Sequence, residues 1–339
     1  MVLNNRPLAK YIPASTKSKI RKIATELDYR PNIFARYLRT NRSYTVGIMV
    51  FDITDPYCTN TLRGIENSLN GASIASLLFD AQNKSERFQR NLELMLHRRI
   101  DGLILVANSL QTDPSILELL HIPKVPVVVM GRDLRHFNFA SSVIVNNQHG
   151  GSMALEYLHK LGHRDIVFLK GPDSIADSKL RWDGIQKFAK QVSLKIPPDS
   201  VVELNQVPTT SAEGLESVTA LLYSRRKRFT ALLAFDDMTA LGAIRGLTES
   251  GLQVPRDCSV MGFDDIDAAG YYNPPLTTIR QPMLKMGDAA AGLLLDAINA
   301  GQKDGPPRPI CRVFEPELVV RKSTDVAHRI GTVRKYSNS

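Results

Sequence analysis

Two pairs of neighbouring carboxylates follow two apolar runs that are typical of buried strands. Asp236 and Asp237 come directly after one run, and Asp264 and Asp265 come directly after the other. Paired acids can hold a metal ion or act as general acid and base. They can also cap the helix that follows each strand, and we predict that role for Asp237 and Asp265.

No other motif of the chain supports catalysis. The seven histidines are scattered, and the sequence lacks HExxH, GxSxG, a P-loop and GxGxxG. We therefore predict that the chain is not an enzyme and that it needs no metal or cofactor.

A second group of residues is suited to DNA. Leu38 lies between Arg36 and Arg39 in a short predicted helix, 33–39. Such a helix can insert an apolar wedge into a minor-groove base step, at an unstacking cost of a few kcal/mol, while the arginines hold phosphates. It is too short to be stable alone, so we expect it to fold only on DNA. The alternative is that Leu38 packs on the preceding helix, 15–28.

The elements around this wedge follow from local signals. Ser15 or Thr16 is the predicted cap of the first helix, and Pro31 ends that segment. Asn32 is the predicted cap of the short helix. Asn32 and Tyr29 are also candidates for contact with DNA phosphates.

Charge separates the ends of the chain from its middle. Residues 1–45 carry a net charge of +8 and residues 321–339 a net charge of +4, which leaves −3 for the middle of a chain of net charge +9. A basic end on a mildly acidic body suits phosphate binding. For the tail, a solvated basic segment is the simpler interpretation.

The expected compartment is the cytoplasm. Cys58, Cys258 and Cys311 are odd in number and far apart, which favours reduced thiols over a disulfide framework or a zinc site. No run of 18 apolar residues is present, and the N-terminus has no apolar leader. We expect no membrane association.

From residue 44 onward, apolar strands alternate with amphipathic helices, which predicts parallel sheets covered on both faces. The predicted strands are Thr45–Phe51, Ile74–Phe79, Gly102–Val106, Val125–Met130, Ser142–Val145, Asp165–Leu169, Val201–Leu204, Ala231–Phe235 and Ser259–Phe263. Breaks at 146–150 and 274–282 suggest passages between lobes. The predicted fold is α/β, with two doubly wound parallel-sheet lobes whose ligand lies in the cleft beyond the carboxyl ends of the strands.

Eight segments, in order, resemble signatures of the LacI/GalR (lactose-repressor) family of transcriptional regulators. They are Val2–Asn5, Leu27–Asn32, Ala35–Thr40, Arg99–Gly102, Leu161–Ile166, Asp236–Gly242, Gly262–Asp265 and Pro274–Ile279. The resemblance implies periplasmic-binding-protein-like lobes, a homodimer, a pseudopalindromic operator contacted through the minor groove, and a small polar effector such as a sugar. The predicted parts are a helix-turn-helix remnant (1–30), a hinge helix and linker (31–44), a first lobe (45–146 and 281–312), a second lobe (147–280 and 313–324) and a basic tail (325–339).

The resemblance also implies where an effector binds. Arg181 and Asp264 match the family's effector-binding arginine and acid, and Asp236 lies where the family often has Asn or Asp. A guanidinium and a carboxylate meeting in a cleft suit sugar hydroxyls or a polar ring. The weaker candidates for the same cleft are Tyr57, Arg132, Asn147 and Trp182.

The chain departs from the family at its front. The resemblance implies a three-helix head whose second helix ends near a Val-Leu-Asn segment, and here Val2 follows Met1 directly. Either a start assigned too far downstream or a real truncation accounts for this. Hinge contacts alone do not identify bases, so we expect these residues to bind DNA weakly and with little sequence specificity.

Two alternatives to a DNA-binding repressor remain. A member without the head would sense its effector and act through dimerisation, without specific DNA binding. A periplasmic sugar-binding protein shares the two-lobed fold, but it has no use for a basic helix followed by Leu38 between arginines.

Overall fold

Two parallel sheets form the framework of the computed structural model, which describes residues 2–4, 7–29, 42–107, 125–134, 138–224, 229–300 and 308–327. The strands are β1 (Thr45–Val50), β2 (Ala75–Asp80), β3 (Gly102–Val106), β4 (Val127–Met130), β5 (Ala140–Val145), β6 (Ile166–Lys170), β7 (Val201–Glu203), β8 (Ala231–Ala234), β9 (Ser259–Asp264), β10 (Thr277–Arg280), β11 (Cys311–Phe314) and β12 (Glu317–Val319). The first sheet has the order β11-β5-β4-β3-β1-β2, and the second has the order β12-β10-β9-β8-β6-β7. Among the described strands, all pairings are parallel except that of β10 with β12.

Helices cover both faces of each sheet. They are α1 (Ala14–Glu26), α2 (Tyr57–Gly71), α3 (Ser85–His97), α4 (Asn147–Lys160), α5 (Ala176–Gln191), α6 (Ser211–Ser224), α7 (Asp237–Glu249), α8 (Asp267–Tyr271) and α9 (Met283–Ala300), with short 3-10 helices at Val2–Asn4, Pro7–Tyr11 and Pro198–Ser200. The predicted fold of two doubly wound lobes is confirmed. No helix in the described part of the chain is both long and apolar enough to cross a membrane.

Strand β1 shows why the central strands are apolar along their whole length. Val46, Ile48 and Val50 point into the core beneath α2 and α9, whereas Met49 packs with Phe88 of α3 on the opposite face. Successive side chains of a strand alternate between the two faces of its sheet. Because helices cover both faces, no position of such a strand is left to water.

The chain passes between the lobes three times. It crosses after β5, again between β10 and α9, and a third time between β11 and β12. The first two passages fall within the predicted breaks. The third lies at residues 315–316, because β11 pairs with β5 of the first lobe as far as Phe314, and the predicted boundary at 312 is therefore too early.

Several local predictions differ from the structure. Pro13, not Ser15 or Thr16, is the N-cap of α1, and it makes no side-chain cap hydrogen bond. Strands β10, β11 and β12 were absent from the prediction because their side chains are only partly apolar. The predicted hinge helix 33–39 lies outside the described residues.

Reciprocal glycines bring pairs of helices into backbone contact. A Cβ atom on Gly184 of α5 would lie 1.9 Å from the Gln148 carbonyl oxygen of α4, and one on Gly151 would lie 2.1 Å from the Arg181 carbonyl oxygen. Gly64 and Gly287 join α2 to α9 in the same way. The contact of α4 with α5 fixes the helix that carries Arg181.

We predict that Gly184→Ala destabilises the protein by about 1–3 kcal/mol, because the helices must separate to admit the methyl group. Urea unfolding followed by circular dichroism measures this change. Gly292→Ala in α9 is the matched control, since a Cβ there meets nothing within 4 Å. That control should be neutral or stabilising by up to about 1 kcal/mol; equal effects of the two variants would contradict the packing argument.

Candidate functional site

A cavity lies between the two lobes at the carboxyl ends of β8 and β9. It encloses about 430 Å³, including the space at its open mouth, and its lining residues are Asp55, Tyr57, Ile175, Asp177, Arg181, Pro208, Thr209, Phe235, Asp236, Asp264 and Gln281. Asp55 and Tyr57 come from the first lobe, Gln281 from the passage between lobes, and the rest from the second lobe. This location is typical of a small-molecule site in a doubly wound fold.

Arg181 is the organising side chain of the cavity. Its Nε donates to Asn147 Oδ1 at 2.9 Å, its Nη1 donates to the Phe235 carbonyl oxygen at 2.6 Å, and its Nη2 donates to Asp264 Oδ1 at 3.3 Å. The guanidinium also lies 3.7 Å from the ring centre of Phe263 and 4.6 Å from that of Phe235. With 7% of its surface exposed, this cation is held in one place.

Asp264 faces Arg181 from the end of β9. Gln281 Nε2 also donates to its Oδ1, at 2.6 Å. Burial raises the pKa of Asp264 to about 7, and Arg181 opposes that rise. The backbone φ of Asp264 is 114°, a value that side-chain-bearing residues rarely adopt and that often marks functional sites.

Asp177 lies four residues before Arg181 on α5, which places both side chains on one face of the helix. Burial raises the pKa of its carboxyl to about 6, and Arg181 opposes that rise. Asp177 is not among the residues predicted from the sequence to line the cleft. The spacing of four residues from Arg181 was the available signal.

Tyr57 closes the cavity from the first lobe. It is the first residue of α2 and is buried. Burial raises the pKa of its hydroxyl, and the negative charges of Asp177 and Asp264 raise it further. An apolar ring and a polar hydroxyl from the first lobe therefore face the acids of the second.

The neighbouring acids have roles that differ from those predicted. Asp236, not Asp237, caps α7: its Oδ1 accepts from Thr239 N at 2.8 Å and forms a capping box, while Thr209 Oγ1 donates to its Oδ2. Asp237 is buried and accepts from Thr278 Oγ1 at 2.6 Å and Ile266 N at 2.9 Å. It holds β10 and the start of α8 against α7.

Asp265 is likewise not a cap. It forms ion pairs at 2.6 Å with Arg280 and with Arg321. No three of the His, Cys, Asp and Glu side chains in the described ranges are arranged to bind a metal ion.

Of the predicted effector-binding residues, the structure places Tyr57, Arg181, Asp236 and Asp264 around the cavity. Asn147 lies behind Arg181 and positions it. Trp182 points away and packs edge-on against Phe168, with ring centres 5.5 Å apart. Arg132 does not line the described cavity. Burial lowers the pKa of its guanidinium.

The predicted DNA-binding residues are mostly beyond the described part of the chain. Asn32, Arg36, Leu38 and Arg39 all lie outside it. Tyr29, which follows α1, is 58% exposed.

Comparisons with known proteins agree with this architecture. A family model for periplasmic binding protein-like domains matches residues 155–324. The HTH-type transcriptional repressor PurR of Pasteurella multocida is 32% identical over 316 residues, which span 93% of this chain and 91% of the relative. The lac repressor dimer bound to operator and the anti-inducer ONPF has a TM-score of 0.79 at 26% identity, covering 96% of this chain and 93% of that one.

A third comparison is a regulator with a sugar bound. The complex of the transcriptional regulator CelR with cellobiose has a TM-score of 0.74 at 26% identity, covering 95% of this chain and 94% of that one. Together with the two lobes and the cleft, these matches show that the chain belongs to the LacI family of transcriptional regulators.

The buried acids predict how stability depends on pH. Between about pH 4 and pH 7 the folded protein keeps protons on Asp177 and Asp264 that the unfolded chain releases, so the free energy of unfolding should fall as pH rises. Asp177→Asn should flatten this fall and be more stable than wild type at pH 8 by up to roughly 3 kcal/mol. Thermal unfolding from pH 4.5 to pH 8 measures the difference.

The other titratable groups that line the cavity are Tyr57, Asp55, Arg181, Asp236 and Asp264. All are unchanged in the variant, so comparison with wild type isolates Asp177. Asp267→Asn, which alters an exposed acid in the first turn of α8, is the control and should follow wild type. A constant difference between Asp177→Asn and wild type at every pH would contradict the assignment.

Proposed function

We propose that the chain is a ligand-responsive repressor, in which a small polar effector in the cavity controls the folding of a hinge helix on operator DNA. The observation that supports this most is the Arg181–Asp264 pair, buried between two lobes of a LacI-family chain. The relatives described above are repressors, and one solved structure holds cellobiose. A sugar or a related metabolite is the proposed class of effector.

Contacts across the cleft suggest how the effector acts. Tyr57 belongs to the first lobe, while Arg181 and Asp264 belong to the second, so a bound molecule would touch both. At the rim, Asn83 Nδ2 of the first lobe donates to the Val207 carbonyl oxygen of the second at 3.4 Å. A ligand that fits one angle between the lobes better than another shifts the equilibrium between them.

The first lobe is tied to residues 42–44, which follow the predicted hinge helix. Asp101 accepts from Ser43 N at 2.7 Å, from Ser43 Oγ at 2.9 Å and from Tyr44 N at 2.9 Å. Arg42 pairs with Asp101 and donates to Asn299 Oδ1 at 3.2 Å. A rotation of the first lobe therefore moves the C-terminal end of the hinge linker with it.

In a homodimer, such rotations change the spacing of two hinge helices. The pair would fold on a pseudopalindromic operator in one state only, with a coupling of about 1–3 kcal/mol between effector and DNA. The proposed DNA contacts are Leu38 as the wedge, Arg36 and Arg39 on phosphates, and Tyr29 and Asn32 beside them.

We predict that Arg181→Ala removes the effector response and leaves DNA affinity without effector unchanged. The effector is first identified as the sugar or amino sugar that raises the melting temperature most, in a panel that includes cellobiose, D-glucose and D-glucosamine. DNA is a duplex enriched by the full chain from a random pool at low salt, where weak binding that depends on groove shape is retained, and fluorescence anisotropy gives its Kd with and without effector.

Arg245→Ala is the matched control, because Arg245 forms an exposed pair with Glu249 outside the cavity. It should respond as wild type does. An unchanged response in Arg181→Ala would contradict the proposed site. Effector binding without any enrichment of DNA would favour the alternative in which the chain acts through dimerisation alone.

We predict that Leu38→Ala weakens binding to the enriched duplex by at least tenfold and reduces DNA bending, because the base step is no longer opened. Its salt dependence should stay as in wild type. Arg39→Ala should instead lower the slope of log Kd against log salt by about one, the signature of one lost phosphate contact. Affinity and bend unchanged by Leu38→Ala would exclude the wedge.

A further inference from the structure

One carboxylate oxygen of Asp177 lacks a hydrogen-bond partner among the described residues. The residue is 6% exposed and lines the cavity, and the oxygen without a partner is Oδ1. Its position in the first turn of α5 is favourable for a negative charge. That position does not explain an unsatisfied buried acceptor on a residue that lines the cavity, since buried polar groups are normally satisfied.

The charge around the cavity is unbalanced. Its lining includes four carboxylates, Asp55, Asp177, Asp236 and Asp264, and one guanidinium. Arg181 already donates to Asn147, to the Phe235 carbonyl and to Asp264. The raised pKa values of Asp177 and Asp264 have the same origin, because burial outweighs the single cation.

A metal ion does not fit this arrangement. The acids of the cavity are not grouped as a metal site within the described ranges. Apolar groups of Tyr57, Ile175, Pro208 and Phe235 also line the cavity. Such walls suit the carbon skeleton of an organic molecule, and a single ammonium group can satisfy one carboxylate at hydrogen-bond distance.

We propose that the effector carries a protonated amine and that the Asp177 carboxylate receives it. Arg181 and Asp264 then bind hydroxyl or other polar groups of the same molecule, so an amino sugar is the simplest member of the class. This inference rests on the proposed effector site. Asp177 acts as the residue that selects a cation over a neutral molecule of equal size.

Matched pairs that differ only in one group test the proposal. D-Glucosamine and D-galactosamine are compared with D-glucose and D-galactose by isothermal titration at pH 7, on the full chain and on Asp177→Asn. Asparagine keeps the size of the side chain and one acceptor oxygen but removes the charge. Asp267→Asn controls for loss of a carboxylate elsewhere.

We expect at least one amine to bind wild type five times or more tighter than its hydroxyl partner, and to lose at least tenfold in Asp177→Asn. The neutral sugars should change less than about threefold. The preference in wild type is itself a test, so the conclusion does not depend on the variant folding. If no amine is preferred, or if the preference survives in a folded Asp177→Asn, the proposal is wrong.

The role of Asp177 and the proposed repressor function can fail independently of each other. A neutral sugar that binds at least as tightly as its amine partner and alters DNA affinity would support the repressor and overturn the role of Asp177. An amine that binds through Asp177 without altering DNA affinity would do the reverse.

Discussion

The buried guanidinium of Arg181 is the interaction on which the cleft depends. It has three hydrogen-bond partners from three elements, namely Asn147 of α4, the Phe235 carbonyl after β8 and Asp264 at the end of β9. Removing such a cation strands the acid beside it, at a cost of about 3–5 kcal/mol. Gly151 reinforces this arrangement, because its missing side chain lets α4 lie directly on the Arg181 backbone. The packing of the second lobe and the chemistry of the cavity therefore share one residue.

Electrostatics divides the chain into two working parts. The basic charge of residues 1–45 is suited to DNA phosphates, whereas the cavity has an excess of carboxylates. Between them lies a rigid connection: β1 continues from the segment that Asp101 holds, and α2, which carries Tyr57, packs on the same sheet. In the proposed mechanism, a ligand that draws Tyr57 toward the second lobe moves this sheet and, with it, the linker that follows the hinge helix.

The sequence predicted what repeats along the chain and missed what depends on folding. Apolar runs such as Gly102–Val106 identify buried strands, because every side chain in them is covered. Arg181 and Asp264 were found by resemblance, while Asp177 was missed, because a single acid in a helix looks like any solvated charge until its surroundings are known. The sequence also did not show that Trp182 points away from the cavity, because only the folded structure places its side of α5 against Phe168. The choice of Asp236 over Asp237 as cap depends on one residue of register, which sequence patterns do not fix.

The most direct test of the account is the affinity of the stabilising sugar or amino sugar for the free protein and for the same protein saturated with enriched DNA. If the effector changes the affinity of the protein for DNA by some factor, DNA must change the affinity of the protein for the effector by the same factor. Isothermal titration should give two effector Kd values that differ by about 5- to 150-fold, corresponding to a coupling of 1–3 kcal/mol. Equal values would show that the cavity and the DNA-binding segment are independent, and would contradict the account.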